Sequence, residues 1–203
     1  MVVKPPGVPT QADRSGVPDM LTLLKADLKR RHEKPGNVFL GLVHRLDRPV
    51  GGVMVFAKTS KAASRLSAQI RGRTFEKVYL AQVHGIPEPR EGDLVDFLLK
   101  DQRTNTVRLA AATEPGAKQA LLTYRVEKTA GEVSLVCIKL HTGRPHQIRV
   151  QMASIGCALV GDQKYGDASS NLPDEEIALW ASEIRFKHPT RDEIVCFTAD
   201  PPW

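Results

Sequence analysis

The sequence predicts an α+β fold: a mixed, mainly antiparallel central sheet with flanking helices and loops. Three observations lead to it. Runs rich in β-branched and aromatic residues outnumber the stretches with a helical period. Most neighbouring runs are joined by short turns containing Gly, Pro, Asn or Asp. No internal repeat or low-complexity tract interrupts them, and 203 residues suit one domain with a substantial core.

In chain order, residues 1–19 read as an extended, turn-rich entry, with Pro5, Pro6, Gly7, Pro9, Gly16 and Pro18 after the short apolar start Met1-Val2-Val3. Residues 19–31 read as a helix. Asp19 is placed to cap its free backbone N–H groups, and Met20, Leu21, Leu24 and Leu28 form an apolar face. Basic residues fill its last turn, where the helix dipole favours cations. Val38–Val43 and Val53–Phe56 read as buried strands around a loop that contains Pro49 and the Gly51-Gly52 pair. Thr59 or Ser60 opens a helix through about Ile70; Ala62, Leu66 and Ile70 recur every four residues as its buried stripe, and Gly72 stops it. Residues 74–84 read as a strand with Val78 and Leu80 on one face and Tyr79, Ala81 and Val83 on the other.

Residues 85–93 read as a loop, and 94–112 as two short strands around the polar turn 101–105. A turn over 113–118 leads into an antiparallel pair, Ala120–Lys128 and Val133–Leu140, joined through Gly131. A helix begins near Pro145, which suits a first helical position. Ile148, Met152 and Ile155 would be its buried face and Gly156 its end. Residues 157–173 read as an extended loop, Asp174-Glu175-Glu176 as the acidic start of a short helix, and 179–187 and 193–199 as strands around a His188-Pro189-Thr190 turn.

Composition narrows the function classes. Charged residues at 26% and hydrophobic ones at 41% are ordinary for a soluble globular chain. A net charge of +6 favours a polyanionic partner. The basic residues are concentrated in two clusters, Lys25-Lys29-Arg30-Arg31-Lys34 and Lys58-Lys61-Arg65-Arg71-Arg73; taken singly, each is equally a solvated helix face. Cys137, Cys157 and Cys196 are scattered and odd in number, with neither zinc-ligand spacing nor a disulfide framework. No signal peptide and no apolar span of about 18 residues occurs, so a soluble, cytoplasmic protein is expected.

The chemistry gathers at Val43-His44-Arg45-Leu46-Asp47-Arg48-Pro49-Val50-Gly51-Gly52. A single carboxylate, Asp47, lies between Arg45 and Arg48, whose guanidinium groups favour a negative neighbour. That suits a nucleophile or base and not a general acid. An arbitrary Asp beside Arg is more often a structural ion pair at a strand end. A second stretch changes the balance: His141-Thr142-Gly143-Arg144-Pro145-His146-Gln147-Ile148-Arg149-Val150.

Together these stretches resemble the pseudouridine synthases, in the branch that includes the ribosomal-RNA and transfer-RNA uridine isomerases of bacteria. The resemblance rests on H-R-L-D-R at His44–Arg48, G-R-x-H-Q-I-R at Gly143–Arg149 and G-D-x-x-Y-G at Gly161–Gly166. It is extended by K-P-x-G at Lys4–Gly7, K-x-Y at Lys77–Tyr79 and H-P at His188-Pro189, all in the family's order. Two departures are visible. Gly51 stands where the family often has a small hydroxyl side chain, which loosens the loop backbone. The strand before K-P-x-G looks clipped.

The resemblance implies a single catalytic domain over residues 1–203, with no appended N-terminal RNA-binding domain. It also implies isomerisation of specific uridines in structured RNA, ribosomal or transfer, by a monomer with no cofactor, no metal and no membrane partner. Asp47 would be the catalytic carboxylate, and three roles stay open: attack on the sugar, attack on the base, or removal of a ribose proton. Arg149 matches the arginine that pairs with it. Tyr79 matches the tyrosine that stacks on the target base and relays the C5 proton. Arg45 matches a position that fills the space left by a flipped nucleotide. Arg48, Lys77, Arg144 and His146 are candidates for phosphate or local contacts, and His44 and Gln147 for fixing the loops.

Other classes fit less well. His44-Arg45-Leu46-Asp47 has the wrong order for a kinase catalytic loop, and no Gly-rich phosphate loop or D-F-G accompanies it. A glycosidase needs a second convergent acid, and none stands in a comparable motif. A non-catalytic RNA-binding module that kept the fold would not require Asp47, Tyr79 and Arg149 together.

Overall fold

The computed structural model describes residues 1–13, 15–166 and 176–203. The chain forms two compact units: residues 1–76 with 181–201, and residues 77–180 with 202–203.

In the first unit, β1 (Val2–Lys4) pairs antiparallel with β3 (Gly51–Met54), in a register that sets Lys4 opposite Gly52. The part of β10 (Leu179–Lys187) that lies in this unit neighbours β3 and pairs antiparallel with β11 (Ile194–Thr198). A two-stranded ribbon, β2 (Gly41–Leu42) with β4 (Phe56–Ala57), stands beside them. Two helices complete the unit, α1 (Met20–Arg31) and α2 (Ser60–Arg71). Asp19 and Thr59 cap them through side-chain oxygens that accept from the Thr22 and Ala62 backbone N–H groups, as the sequence predicts. The core gathers Val53, Val55, Ala57, Ala62, Leu66, Phe75, Ile184 and Phe186, with the Phe75 and Phe186 rings stacked 4.9 Å apart.

In the second unit, β5 (Glu76–His84), β9 (Val133–Leu140), β8 (Lys118–Ala130), β6 (Glu91–Asp101) and β7 (Thr106–Leu109) lie side by side in that order, each pair antiparallel. Helix α3 (Gln147–Ser154) sends Val150 into a core with Leu98, Val107 and Ala120. The faces of β5 follow the predicted alternation: Tyr79, Ala81 and Val83 are buried, while Val78 and Leu80 are half-buried.

Several elements differ from expectation. The apolar run 38–43 contributes only two strand residues, and its exposed Phe39 does not enter the core. Strand β6 starts at Glu91, inside the predicted loop, because its first residues find a full antiparallel partner in β8 from Arg125 onward. Pro145 is not at the first turn of α3; His146, in the left-handed region at φ 51°, precedes the helix instead. Ile155 lies beyond that helix and is exposed, and Gln147, Arg149 and Gln151 are buried in its place. Gly72 follows α2 in a right-handed conformation, and Arg73 takes the left-handed one. The start of the predicted acidic helix, Asp174-Glu175, lies outside the described residues; Glu176 is not helical.

Candidate active site

In the first unit, Asp47 stands half-buried on the loop between β2 and β3, and the chain's entry segment pins both of its neighbours. Thr10 donates its hydroxyl to the Leu46 carbonyl at 2.9 Å and accepts from the Leu46 N–H at 3.3 Å. On the other side, the Arg48 carbonyl accepts from the Gly7 N–H at 2.9 Å and from the Lys4 ammonium at 3.0 Å. Lys4 is fully buried and also donates to the Pro5 and Val8 carbonyls, at 2.9 and 2.7 Å. All three of its N–H groups thus have acceptors. Burial pushes its ammonium down to about 8, and the Asp47 charge acts against that shift. The Asp47 carbonyl accepts from the Val50 N–H at 3.1 Å, closing a turn over Pro49.

The other side chains of this loop have separate tasks. His44 accepts the Val55 N–H on Nε2 at 3.0 Å, and its ring lies 5.5 Å from Phe75, so it fixes the loop's entry to the core. Arg48 is exposed and donates Nε to the Gly7 carbonyl at 3.0 Å, which makes it part of the clamp. Arg45 is exposed. Gly52 explains the Gly pair: its φ is +125°, and a Cβ there would sit 2.7 Å from the Ala181 Cα on β10.

In the second unit, Tyr79 is buried on β5, opposite Ile138 of β9. The loop after β9 is held from within by polar side chains. Thr142 accepts the Leu121 N–H at 2.8 Å and donates to Gln147 Oε1, also at 2.8 Å. Gln147 Oε1 also accepts the Arg144 N–H at 3.0 Å. The Gln147 amide donates to Gln151 at 2.9 Å, and Gln151 donates to Asp96 at 2.6 Å. Arg144 donates Nε to the Gln119 carbonyl at 2.7 Å, a bond that braces the loop. Lys77 brings Nζ to 3.4 Å from where a Gly143 Cβ would lie, and burial lowers its pKa.

Arg149 is buried on α3 and grips Asp162 with two bonds, Nε to Oδ2 at 2.8 Å and Nη2 to Oδ1 at 2.6 Å. Asp162 is fully buried, and its Oδ1 also accepts the Lys164 and Tyr165 N–H groups. The guanidinium carbon lies 5.0 Å from the centre of the Tyr165 ring. The Tyr165 hydroxyl accepts the Val107 N–H at 2.8 Å and meets His146 Nδ1 at 2.5 Å. Removing one partner of a buried bidentate pair costs about 3–5 kcal/mol, so the geometry of Arg149 depends on Asp162. Gly161, next to Asp162, packs against the backbone of Glu176 and Ile177: its φ is +73°, and a Cβ there would lie 3.1 Å from the Ile177 Cα.

The structure therefore gathers Arg45, Asp47 and Arg48 on one clamped loop of the first unit. In the second unit it gathers Lys77, Arg144, His146 and Arg149 around one braced loop and helix. Sequence reasoning missed Lys4, Thr10 and Asp162 as parts of this machinery. For Lys4 and Asp162 the signal was present, because each sits in a motif that the sequence displays. Thr10 carried none. Among the described residues, no group of three or more His, Cys, Asp or Glu side chains could hold a metal ion.

Comparison with known proteins identifies the family and the fold. The family model described as "RNA pseudouridylate synthase" matches residues 1–154. An uncharacterized RNA pseudouridine synthase of Aquifex aeolicus (strain VF5) is 37% identical over 171 residues, which cover 80% of this chain and 53% of that protein. The ribosomal large subunit pseudouridine synthase D of Zymomonas mobilis subsp. mobilis is 35% identical over 169 residues, covering 80% of this chain and 53% of that protein. The chain thus spans about half the length of these curated relatives. The solved structure of human RNA pseudouridylate synthase domain containing 4 shares the fold, with a TM-score of 0.81 at 22% identity over 98% of this chain and 84% of that one. With the family model covering more than half of its length, the chain belongs to the RNA pseudouridylate synthase family.

Proposed function

We propose that this protein is an RNA pseudouridine synthase that converts specific uridines in structured RNA to pseudouridine. The reaction breaks the N1–C1′ glycosidic bond, turns the uracil and joins C5 to C1′. The C5 proton leaves and N1 gains one, so substrate and product are isomers and no donor or oxidant enters. What the reaction needs from the protein is an ionised, fixed carboxylate and a base for the C5 proton. Asp47 is assigned as the carboxylate, Tyr79 as the stacking and proton-relaying group, and Arg149, itself held by Asp162, as the arginine of the catalytic set. Arg45 is assigned to the space left by the flipped nucleotide, and Lys77 and His146 to the RNA. The relative named for the ribosomal large subunit makes ribosomal RNA the first substrate to test, with transfer RNA second. The three cysteines, none of them in a disulfide, fit a reducing compartment such as the cytoplasm.

The observation that carries the assignment is the clamp on Asp47. With the backbone of both neighbours pinned by buried side chains, the main chain that carries the half-buried Asp47 is fixed before substrate arrives, as positioning catalysis requires. The experiment incubates the protein with cellular RNA lacking pseudouridine and maps new sites by chemical sequencing. Asp47→Asn should leave RNA affinity within about threefold and lower turnover by at least about 10³-fold. Retained turnover in a clean Asp47→Asn preparation removes Asp47 from the mechanism. RNA binding by the parent protein without any new pseudouridine favours a binding module.

A further inference from the structure

A groove in the first unit takes no part in the chemistry above. It lies between α2 and the turn joining β10 to β11, with a volume of about 390 Å³. Gln69 fixes its floor: the amide donates to the Lys187 carbonyl and accepts the Lys187 N–H, both at 2.9 Å. Helix and turn, 118 residues apart, are thereby held in one register. The turn folds onto His188, whose Nδ1 accepts the Thr190 and Arg191 N–H groups at 3.3 and 3.1 Å. Accepting there places the neutral ring's proton on Nε2 and makes that atom a donor. Arg65 reaches across from the helix and bonds the Pro189 carbonyl.

Three cations from two distant stretches therefore line one preformed concavity: Arg65, Lys187 and Arg191. The acid among its lining residues is Asp192, paired with Lys187 at 2.5 Å but with its side chain 91% exposed. Arg191 pairs with Glu193 at 2.8 Å, also at the surface. Exposed pairs of this kind hold weakly and are screened by salt, so they exchange readily for a stronger anion. Guanidinium forks match phosphate oxygens in pairs. Among the described residues, no Phe, Tyr or Trp lines the groove, so none of them offers a platform for stacking a base.

We propose that this groove binds a backbone phosphate of the substrate RNA, held by Arg65, Lys187 and Arg191 with His188 Nε2–H as a neutral donor. The interaction positions the RNA without reading its sequence. It also assigns a place to part of the basic cluster on α2, which the sequence alone leaves as a charged helix face. The inference rests on the RNA-modifying reading.

The test measures binding of the full chain to an unmodified transcript of large-subunit ribosomal RNA, at salt from roughly 50 to 200 mM, together with turnover at saturating RNA. The double variant Arg65→Gln/Arg191→Gln should bind about tenfold more weakly, and its slope of log affinity against log salt should flatten by roughly 0.7–0.9 for each phosphate that is no longer neutralised. Its turnover at saturation should match the parent's. Arg65→Lys/Arg191→Lys should keep the slope, because the charges remain. Asp192→Asn should tighten binding severalfold, because it removes the anion that competes with phosphate. Parental affinity and slope in the Gln double variant would overturn the proposal, as would weaker binding by Asp192→Asn. If the parent protein binds the RNA and makes no pseudouridine, the isomerase reading falls, and the affinity and slope of the variants still decide the groove.

Discussion

Thr10 uses one hydroxyl to hold both backbone groups of Leu46, the residue that precedes Asp47. Thr10→Val keeps the shape and deletes the hydroxyl, leaving a buried N–H and C=O without that partner. Such losses cost about 1–3 kcal/mol each. The loop then shifts, and turnover should fall by roughly 10–100-fold while RNA affinity holds. Thr10→Ser should restore most of the rate; a Ser variant as slow as Val would mean that the methyl group, and not the hydroxyl, positions the loop. Lys4 adds a pH dependence. Its ammonium satisfies three carbonyls, and the neutral amine has only two N–H groups to offer. Turnover should therefore decline as pH rises through about 8. The stability change has the opposite sign. The folded pKa of about 8 lies below the ordinary 10.5, so between these values the unfolded chain binds more protons, and Lys4 adds stability as pH rises. An alkaline loss of rate should thus occur without a fall in Tm due to Lys4. In Lys4→Met this alkaline limb should vanish from a lower, flatter profile. A limb that survives there belongs to another group.

At the scale of elements, the strands around Asp47 hold it because a glycine lets them close. Gly52 on β3 sits against the backbone of Ala181 on β10, at a φ of +125° that L side chains rarely adopt. Gly52→Ala has no flexible neighbour to displace, so β3 must move from β10 and take the Lys4 register with it. The expected cost is roughly 4 kcal/mol, read as a drop in Tm of about 10 °C for a chain of this size. A Tm within two or so degrees of the parent would show that the strand pair absorbs the methyl group. Gly51, which departs from the family pattern, lies on the same buried strand. The rigidity of this loop comes from Thr10, Lys4 and Gly7, supplied by a separate stretch of chain.

At the scale of the molecule, the net charge of +6 is carried largely by exposed side chains on helices. Lys29, Arg30 and Arg31 in α1 are exposed, as are Lys61, Arg65 and Arg71 in α2. On the proposed function, cations of this kind would supply salt-sensitive affinity without reading bases, and specificity would come from a uridine that flips readily out of its local structure. A folded hairpin of roughly 20 nucleotides carrying the target uridine should therefore keep kcat/KM within about tenfold of the intact RNA. A loss of several orders of magnitude on a hairpin shown to be folded would mean that distant RNA structure or a partner protein takes part in recognition.

By itself the sequence determined what local chemistry dictates. Asp19 and Thr59 announced the helix starts because short polar side chains satisfy free N–H groups wherever a helix begins. The alternation of Tyr79, Ala81 and Val83 announced the buried face of β5 because side chains alternate along any strand. The motifs around Asp47 and Arg149 announced the family. The tertiary structure decided whatever depends on partners far along the chain. Thr10 holds a residue 36 positions away, and Gln69 holds one 118 positions away. No spacing rule encodes these bonds, because a hydroxyl or an amide finds its partner only after the backbone has folded. Glu91 to Asp93 became strand rather than loop because β8 offered a ladder that their own composition does not request. Arg149 became buried because Asp162, held by two backbone N–H groups, was there to pair with it.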